Sequence, residues 1–227
     1  MKRLFFILFA IMSVSSLQAQ ESAAPNYSDI RQKIFNPKHP SYYPTLVKRY
    51  LENDTTLTLE EYRNLYYGYT LQEDFVPYQR EHQQLFDIRR RLAQSKGSAG
   101  LCSDAQRQAR AVLDDNPFDL LAISTYAITA LQMGDSTTWR QMRERQNGIL
   151  DVIVSSGDGE TPESAFHVIA IEHEYEVLNR LGLEVEKDSL VSPTVEYLKV
   201  KPNADDEDGF YFDFSACRNV YDLKYSE

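Results

Sequence analysis

The hydrophobic period of this chain changes once, near Gly157, and that change constrains the fold more than any other feature. From Tyr27 to Gly157 apolar residues return every three or four positions, the spacing of one helix face. Beyond Gly157 they alternate over short runs, the spacing of a half-buried strand. A chain that separates the two periods in this way is expected to build helices first and a small sheet afterwards, an α+β arrangement.

Stop and start residues divide the first part. Asn26 or Ser28 can cap a helix bearing Ile30, Ile34 and Phe35, which Pro37 and Pro40 end. A second helix is expected over 42–52, with Leu46, Val47, Tyr50 and Leu51 at helical spacing and Asn53-Asp54 closing it. Thr58 and Glu61 form a capping box that opens a third. Further helices are predicted over 78–95, 102–114, 118–133 and 137–154, separated by Gly97 and Gly100, by Asn116-Pro117 and by Gly134-Asp135-Ser136. Connections this short make neighbouring helices antiparallel. The stretch AVLDDNPFDLLAISTYAITALQMGDSTTW has the rhythm of a tetratricopeptide-type unit, with small residues Ala127 and Ala130 on one face, although the usual Trp and Tyr positions are not filled. A stack of such units would be elongated and present a concave face.

In the second part AFHVIAI reads as a strand and EHEYEVLNRLG as a short helix ending at Gly182. LEVEKDSLV, TVEYLKV and FYFDF alternate, the last placing Phe210, Phe212 and Phe214 on one face, which predicts a small, mostly antiparallel sheet. The expected organisation is thus a targeting segment over 1–20, a helical repeat-like region over 21–157 and an α/β module over 158–227.

Lys2 and Arg3 precede an apolar run of about nine residues and a small, polar stretch to Gln20, the layout of a secretory signal peptide. Cleavage is expected near Ala19, although Leu17 occupies the minus-three position. The run is too short to span a bilayer and no later segment is apolar enough to do so, so export to a periplasmic or extracellular space is the expectation. The formal charge of −10 would become about −12 on cleavage, with 22 Lys and Arg against 34 Asp and Glu. That balance argues against nucleic acid or anionic lipid as partner. The one basic triplet, Arg89 to Arg91, reads as a solvated helix face. A hydrophobic content of 42% is enough for a packed core and excludes wholesale disorder. Two cysteines, Cys102 and Cys217, would meet an oxidising space after export. Spacing leaves their pairing open and favours two separate buried thiols.

Chemistry-bearing groupings are sparse. His167, His173, Glu174 and Glu176 include metal-ligand types, but HExxH is absent because Val177 stands four residues after His173. An acidic first turn of a helix accounts for them better. The loop Asp205 to Asp208 before Gly209 lacks the first and twelfth ligands of an EF-hand and reads as a solvated turn. The sequence shows no G-x-S-x-G elbow, Walker loop or G-x-G-x-x-G, so no catalytic residue, metal or cofactor is assigned.

The densest feature is YRNLYYGYTLQEDFVPY, with five tyrosines. Tyr62, Leu65, Tyr66 and Tyr69 share one helix stripe, and Tyr67 and Leu71 lie on a second. A helix apolar on two sides packs between neighbours. The functional alternative is an aromatic groove formed by Tyr42, Tyr43, Tyr67 and Tyr78 that stacks on a sugar or clasps a peptide.

The segments NPKHPSYYPTLVKRYLENDTTLTLEEYRNLYYGYTLQEDF and SGDGETPESAFHVIAIEHEYEVL resemble an uncharacterised family of exported Bacteroidetes proteins, domain of unknown function 4919. The resemblance implies export and a helical architecture similar to tetratricopeptide repeats, and it supplies no catalytic residues to carry over. The functional expectation is a non-enzymatic module that binds an envelope protein or peptide. An exported hydrolase acting on a glycan or peptide, and an envelope assembly factor, are the alternatives.

Overall fold

Thr58 begins the best-specified element of the chain. Its hydroxyl accepts the Glu61 amide at 3.2 Å and the Glu61 carboxylate accepts the Thr58 amide at 2.8 Å, so two otherwise orphaned donors are satisfied reciprocally. The computed structural model describes residues 23–77, 83–95 and 98–225. Residues 1–20, where a targeting segment is expected, Tyr78 and the start of the predicted fourth helix lie outside the described residues.

The helical layer consists of α1 (Tyr27–Ile34), α2 (Tyr43–Leu51), α3 (Leu59–Tyr69), α4 (Gln83–Gln94), α5 (Ala99–Asp115), α6 (Leu120–Gln132) and α7 (Ser136–Val154). Side-chain caps start several of them: Asn26 for α1, Ser98 for α5, Asp119 for α6 and Asp135 for α7. Consecutive helices α4, α5, α6 and α7 pack pairwise, as their short connections predict, while α3 lies against α1, α2 and α7. The anticipated two-sided burial of α3 is present: Tyr66, Tyr67 and Tyr69 are all buried, and Gly68 lets Ile34 and Tyr43 approach its backbone.

The remainder contains β1 (Phe166–His167), α8 (Glu172–Arg180), β2 (Val185–Leu190), β3 (Val195–Val200), β4 (Gly209–Asp213) and α9 (Ser215–Tyr225). The strands form one mixed sheet in the order β1-β4-β3-β2; β1 runs parallel to β4 and the other pairs are antiparallel. The chain is therefore α+β, a helical layer followed by a small sheet. Gly182, at φ +76°, ends α8: its own amide returns to the Asn179 carbonyl and the Leu183 amide to that of Leu178.

AFHVIAI is not a full strand. Only Phe166 and His167 pair in register with Phe212 and Asp213. The Val168 amide still reaches the Asp213 carbonyl at 2.9 Å, but the Ile169 amide donates to Tyr66 Oη at 3.2 Å. The run thus leaves the sheet to fill the helical core before turning into α8. The C-terminal helix α9 has no counterpart among the sequence expectations; the Asp213 carboxylate accepts the Ser215 amide at its start.

One core runs through both parts. Ile34, Leu46, Tyr66, Phe118, Ile149 and Ile153 from the helices join Val168, Val177, Leu198 and Phe212 from the later residues. A smaller apolar cluster lies among α4, α5 and α6, around Leu85, Ile88, Leu92, Ala105 and Ala109. Cys102 and Cys217 are two separate buried thiols, and Cys102 Sγ lies 3.1 Å from Gln132 Oε1. The acidic loop is a turn organised by Asn203, whose Oδ1 accepts the amides of Asp205 and Glu207, each at 3.1 Å. No described helix is long and apolar enough to cross a membrane.

Candidate functional site

Helix α4 has two stripes one residue apart. Leu85, Ile88 and Leu92 enter the smaller cluster, which leaves Phe86, Arg89, Arg90 and Ala93, again at i, i+3, i+4 and i+7, along a cleft. Helix α8 is divided likewise. Glu174, Val177 and Leu178 face inward, while Glu172, Tyr175 and Glu176 line the same cleft. Between them lie Phe75 and Val76, the N-terminal end of α6 and the segment Ile169 to Ile171. The cleft has a volume of about 730 Å³, within the range of small-molecule and peptide sites.

Its floor is apolar and open. Val76, Phe86 and Tyr175 remain 46%, 45% and 44% exposed, a cost in water that a bound apolar group would relieve. Charges of both signs line the cleft. On α4, Arg89 Nη1 donates to Ser124 Oγ at 2.6 Å and Arg90 Nη2 to Asp87 at 3.0 Å. On α8, burial pushes the Glu176 carboxyl up, offset in part by Arg89 and by a hydrogen bond from Asn179. Lys224 of α9 fixes the loop between α3 and α4 by donating to the carbonyls of Glu73 and Phe75 at 2.9 and 2.7 Å.

His173 anchors α8 to the helical layer. Its Nδ1 lies 2.7 Å from Tyr66 Oη, which itself accepts the Ile169 amide. The backbone of Phe118 forms a further hydrogen bond that raises the His173 pKa, as an acceptor would. The buried imidazole is neutral, and Tyr66 can donate to Nδ1 when the ring proton sits on Nε2. Burial lowers the His173 pKa to about 3 against that one opposing hydrogen bond. Fully buried and held at Nδ1 by Tyr66, His173 acts as a structural tie rather than a ligand or base. His167 lies apart on β1, with Nδ1 4.0 Å from the Asp213 carboxylate.

Glu174 is 0% exposed, and neither carboxyl oxygen has a conventional hydrogen-bond donor. Burial, followed by the charges of Glu196 and Glu172, raises its pKa to about 9. It is therefore protonated at neutral pH, and its proton can be donated to Glu196, with which it is hydrogen-bonded. Asp188 on β2 contributes to the same carboxyl group cluster. Among the described residues no group of His, Cys, Asp and Glu side chains is arranged to hold a metal ion.

Three of the four tyrosines named from the sequence, Tyr42, Tyr43 and Tyr67, lie among the described residues. Tyr67 is 0% exposed, and its hydroxyl donates to the His167 carbonyl at 3.2 Å, so it belongs to the core and not to a groove. Tyr43 is buried beside Gly68, Tyr42 is half-buried at the start of α2, and Tyr78 lies outside the described residues. Two-sided packing of α3 turns Tyr67 inward. The cleft-lining stripes of α4 and α8 were visible as helix faces, but their meeting across more than eighty residues of sequence was not.

The architecture and cleft define an α+β protein with a helical layer, a four-stranded sheet and an open apolar trough between two helices. The family model described as Domain of unknown function (DUF4919) matches residues 28–223, and the chain belongs to that family. No curated protein and no solved structure matches it.

Proposed function

We propose that this protein is an exported, non-enzymatic binding protein of the cell envelope, and that the cleft between α4 and α8 takes a peptide segment of an envelope partner. The observation that carries this reading is the half-exposed apolar lining of Val76, Phe86 and Tyr175 in a cleft that also bears Arg89 and Arg90 on α4 and Glu172 and Glu176 on α8. A peptide supplies apolar side chains for such a lining, and backbone amides, carbonyls and charges of both signs for its rims. Export rests on the sequence of residues 1–20.

Selection from a displayed random-peptide library tests the proposal. Enriched peptides should pair apolar residues with charges of both signs, and Phe86→Ser or Tyr175→Ser should weaken them at least tenfold. Because both side chains are half-exposed, the melting temperature should shift little. A library that yields no binder, or binders indifferent to both substitutions, overturns the proposal.

A further inference from the structure

We infer a second ligand site on this protein, a pocket of mixed polar and apolar lining between the α2–α3 loop and α7 that takes a neutral sugar residue. The pocket has a volume of about 340 Å³ and lies away from the α4–α8 cleft, sharing no lining residue with it.

Its aromatic wall is Tyr62, seated on α7 by a glycine. Gly148 lies in the interior of a 19-residue helix, where glycine costs about 1 kcal/mol relative to alanine. A Cβ there would stand 2.4 Å from the Tyr62 ring, so the absent side chain is what lets the ring lie against the helix. Tyr50 supports it edge-on, with ring centroids 6.1 Å apart.

Two polar atoms of this wall are buried without a hydrogen-bond partner, the acceptor Asn53 Oδ1 and the donor Arg145 Nε. Arg145 is only 9% exposed; its Nη2 donates to the Leu51 carbonyl at 2.8 Å, and its guanidinium lies 4.9 Å from the Tyr50 ring centroid. Gln141 and Asn147 add amides to the same wall, and Glu144 and Asp151 add carboxylates. Each sugar hydroxyl both donates and accepts, and the C–H face of a pyranose packs on an aromatic ring, so a polyol answers this mixture of groups.

Charge narrows the class. Asp54 is paired with Arg49 at 2.7 Å and Asp151 with Arg180 at 3.3 Å, and Glu144 and Arg145 add one charge of each sign, so the charges around the pocket are balanced. A site whose charges are already balanced offers an ionic sugar no new partner while costing it hydration. A neutral hexopyranose avoids that cost.

Saturation-transfer NMR with a panel of methyl hexopyranosides and the corresponding methyl hexuronosides tests the inference on the purified protein. At least one neutral glycoside should receive saturation and the uronosides should not. Gln141→Ala, at the half-buried edge of the pocket, should reduce the signal at least fivefold without changing the melting temperature. Gly148→Ala, which displaces Tyr62, should abolish it. Should Gly148→Ala unfold the protein, Tyr62→Phe keeps the ring and removes only the hydroxyl, and should weaken binding severalfold. Absence of transfer to any neutral glycoside, equal transfer to uronosides, or a signal unchanged in Gln141→Ala would each overturn the assignment.

Discussion

Replacing Glu174 by glutamine should stabilise the protein, and by an amount that depends on pH. The side chain is fully buried and its pKa is raised from the ordinary 4.5 to about 9, chiefly by burial and then by the charges of Glu196 and Glu172. Below pH 4.5 the carboxyl is protonated whether the chain is folded or not, and the native group is at no disadvantage. Between 4.5 and 9 the unfolded chain ionises while the folded chain holds its proton, so stability is lost as pH rises through this window. The loss is about 1.4 kcal/mol per pH unit, or about 3 kcal/mol by pH 7. Glutamine has nearly the same shape, does not ionise, and can donate to Glu196 as the protonated acid does. Urea unfolding of both proteins at several pH values between 4 and 8 gives the difference directly, and other titrating groups shared by the two largely cancel in it. The difference should be near zero at pH 4 and about 3 kcal/mol in favour of Glu174→Gln at pH 7. A difference that stays constant with pH would refute the reasoning, because it would mean that Glu174 titrates alike in the folded and unfolded chains.

His173 should behave in the opposite sense. With its pKa lowered from 6.5 to about 3, its contribution is complete above pH 6.5 and is lost as pH falls toward 3; its ring protons in an NMR titration should show no charging at pH 5, and a midpoint near 6.5 would contradict the buried tie. Tyr66→Phe removes the hydrogen-bond partner of His173 Nδ1 and the acceptor of the Ile169 amide, leaving two buried groups unpaired. It should lower the unfolding free energy by about 2–4 kcal/mol with an unchanged denaturant slope, and a loss below about 0.5 kcal/mol would exclude that role.

Where local chemistry decided the outcome, the fold was legible in the sequence. The Thr58–Glu61 box marks the start of α3, Gly182 ends α8, and the tyrosine spacing gives a helix buried on two sides. AFHVIAI misled because a continuous apolar run has no period. It can pair as a strand or plug a core, and the Tyr66 hydroxyl settles the matter from 103 residues away. Helix α9 was overlooked although Asp213 provides a capping carboxylate, because the preceding FYFDF run is dominated by its strand alternation. The candidate cleft shows the same division. Phe86, Arg89, Arg90 and Ala93 form a stripe that any helical reading of α4 contains, yet the arginines read as a solvated face. What sets Arg89 beside Glu176 is the shared packing of α4 and α8 near the start of α6, a tertiary fact with no local signature.

Hydrogen exchange on the complex with a selected peptide tests the central claim most directly. Amides in the peptide-lined walls, residues 83–94 and 172–180, should slow on binding, and both walls should lose that protection together in Phe86→Ser. Protection confined to the exposed edge strand β2, or spread over neither α4 nor α8, would contradict the assignment of the cleft as the binding site.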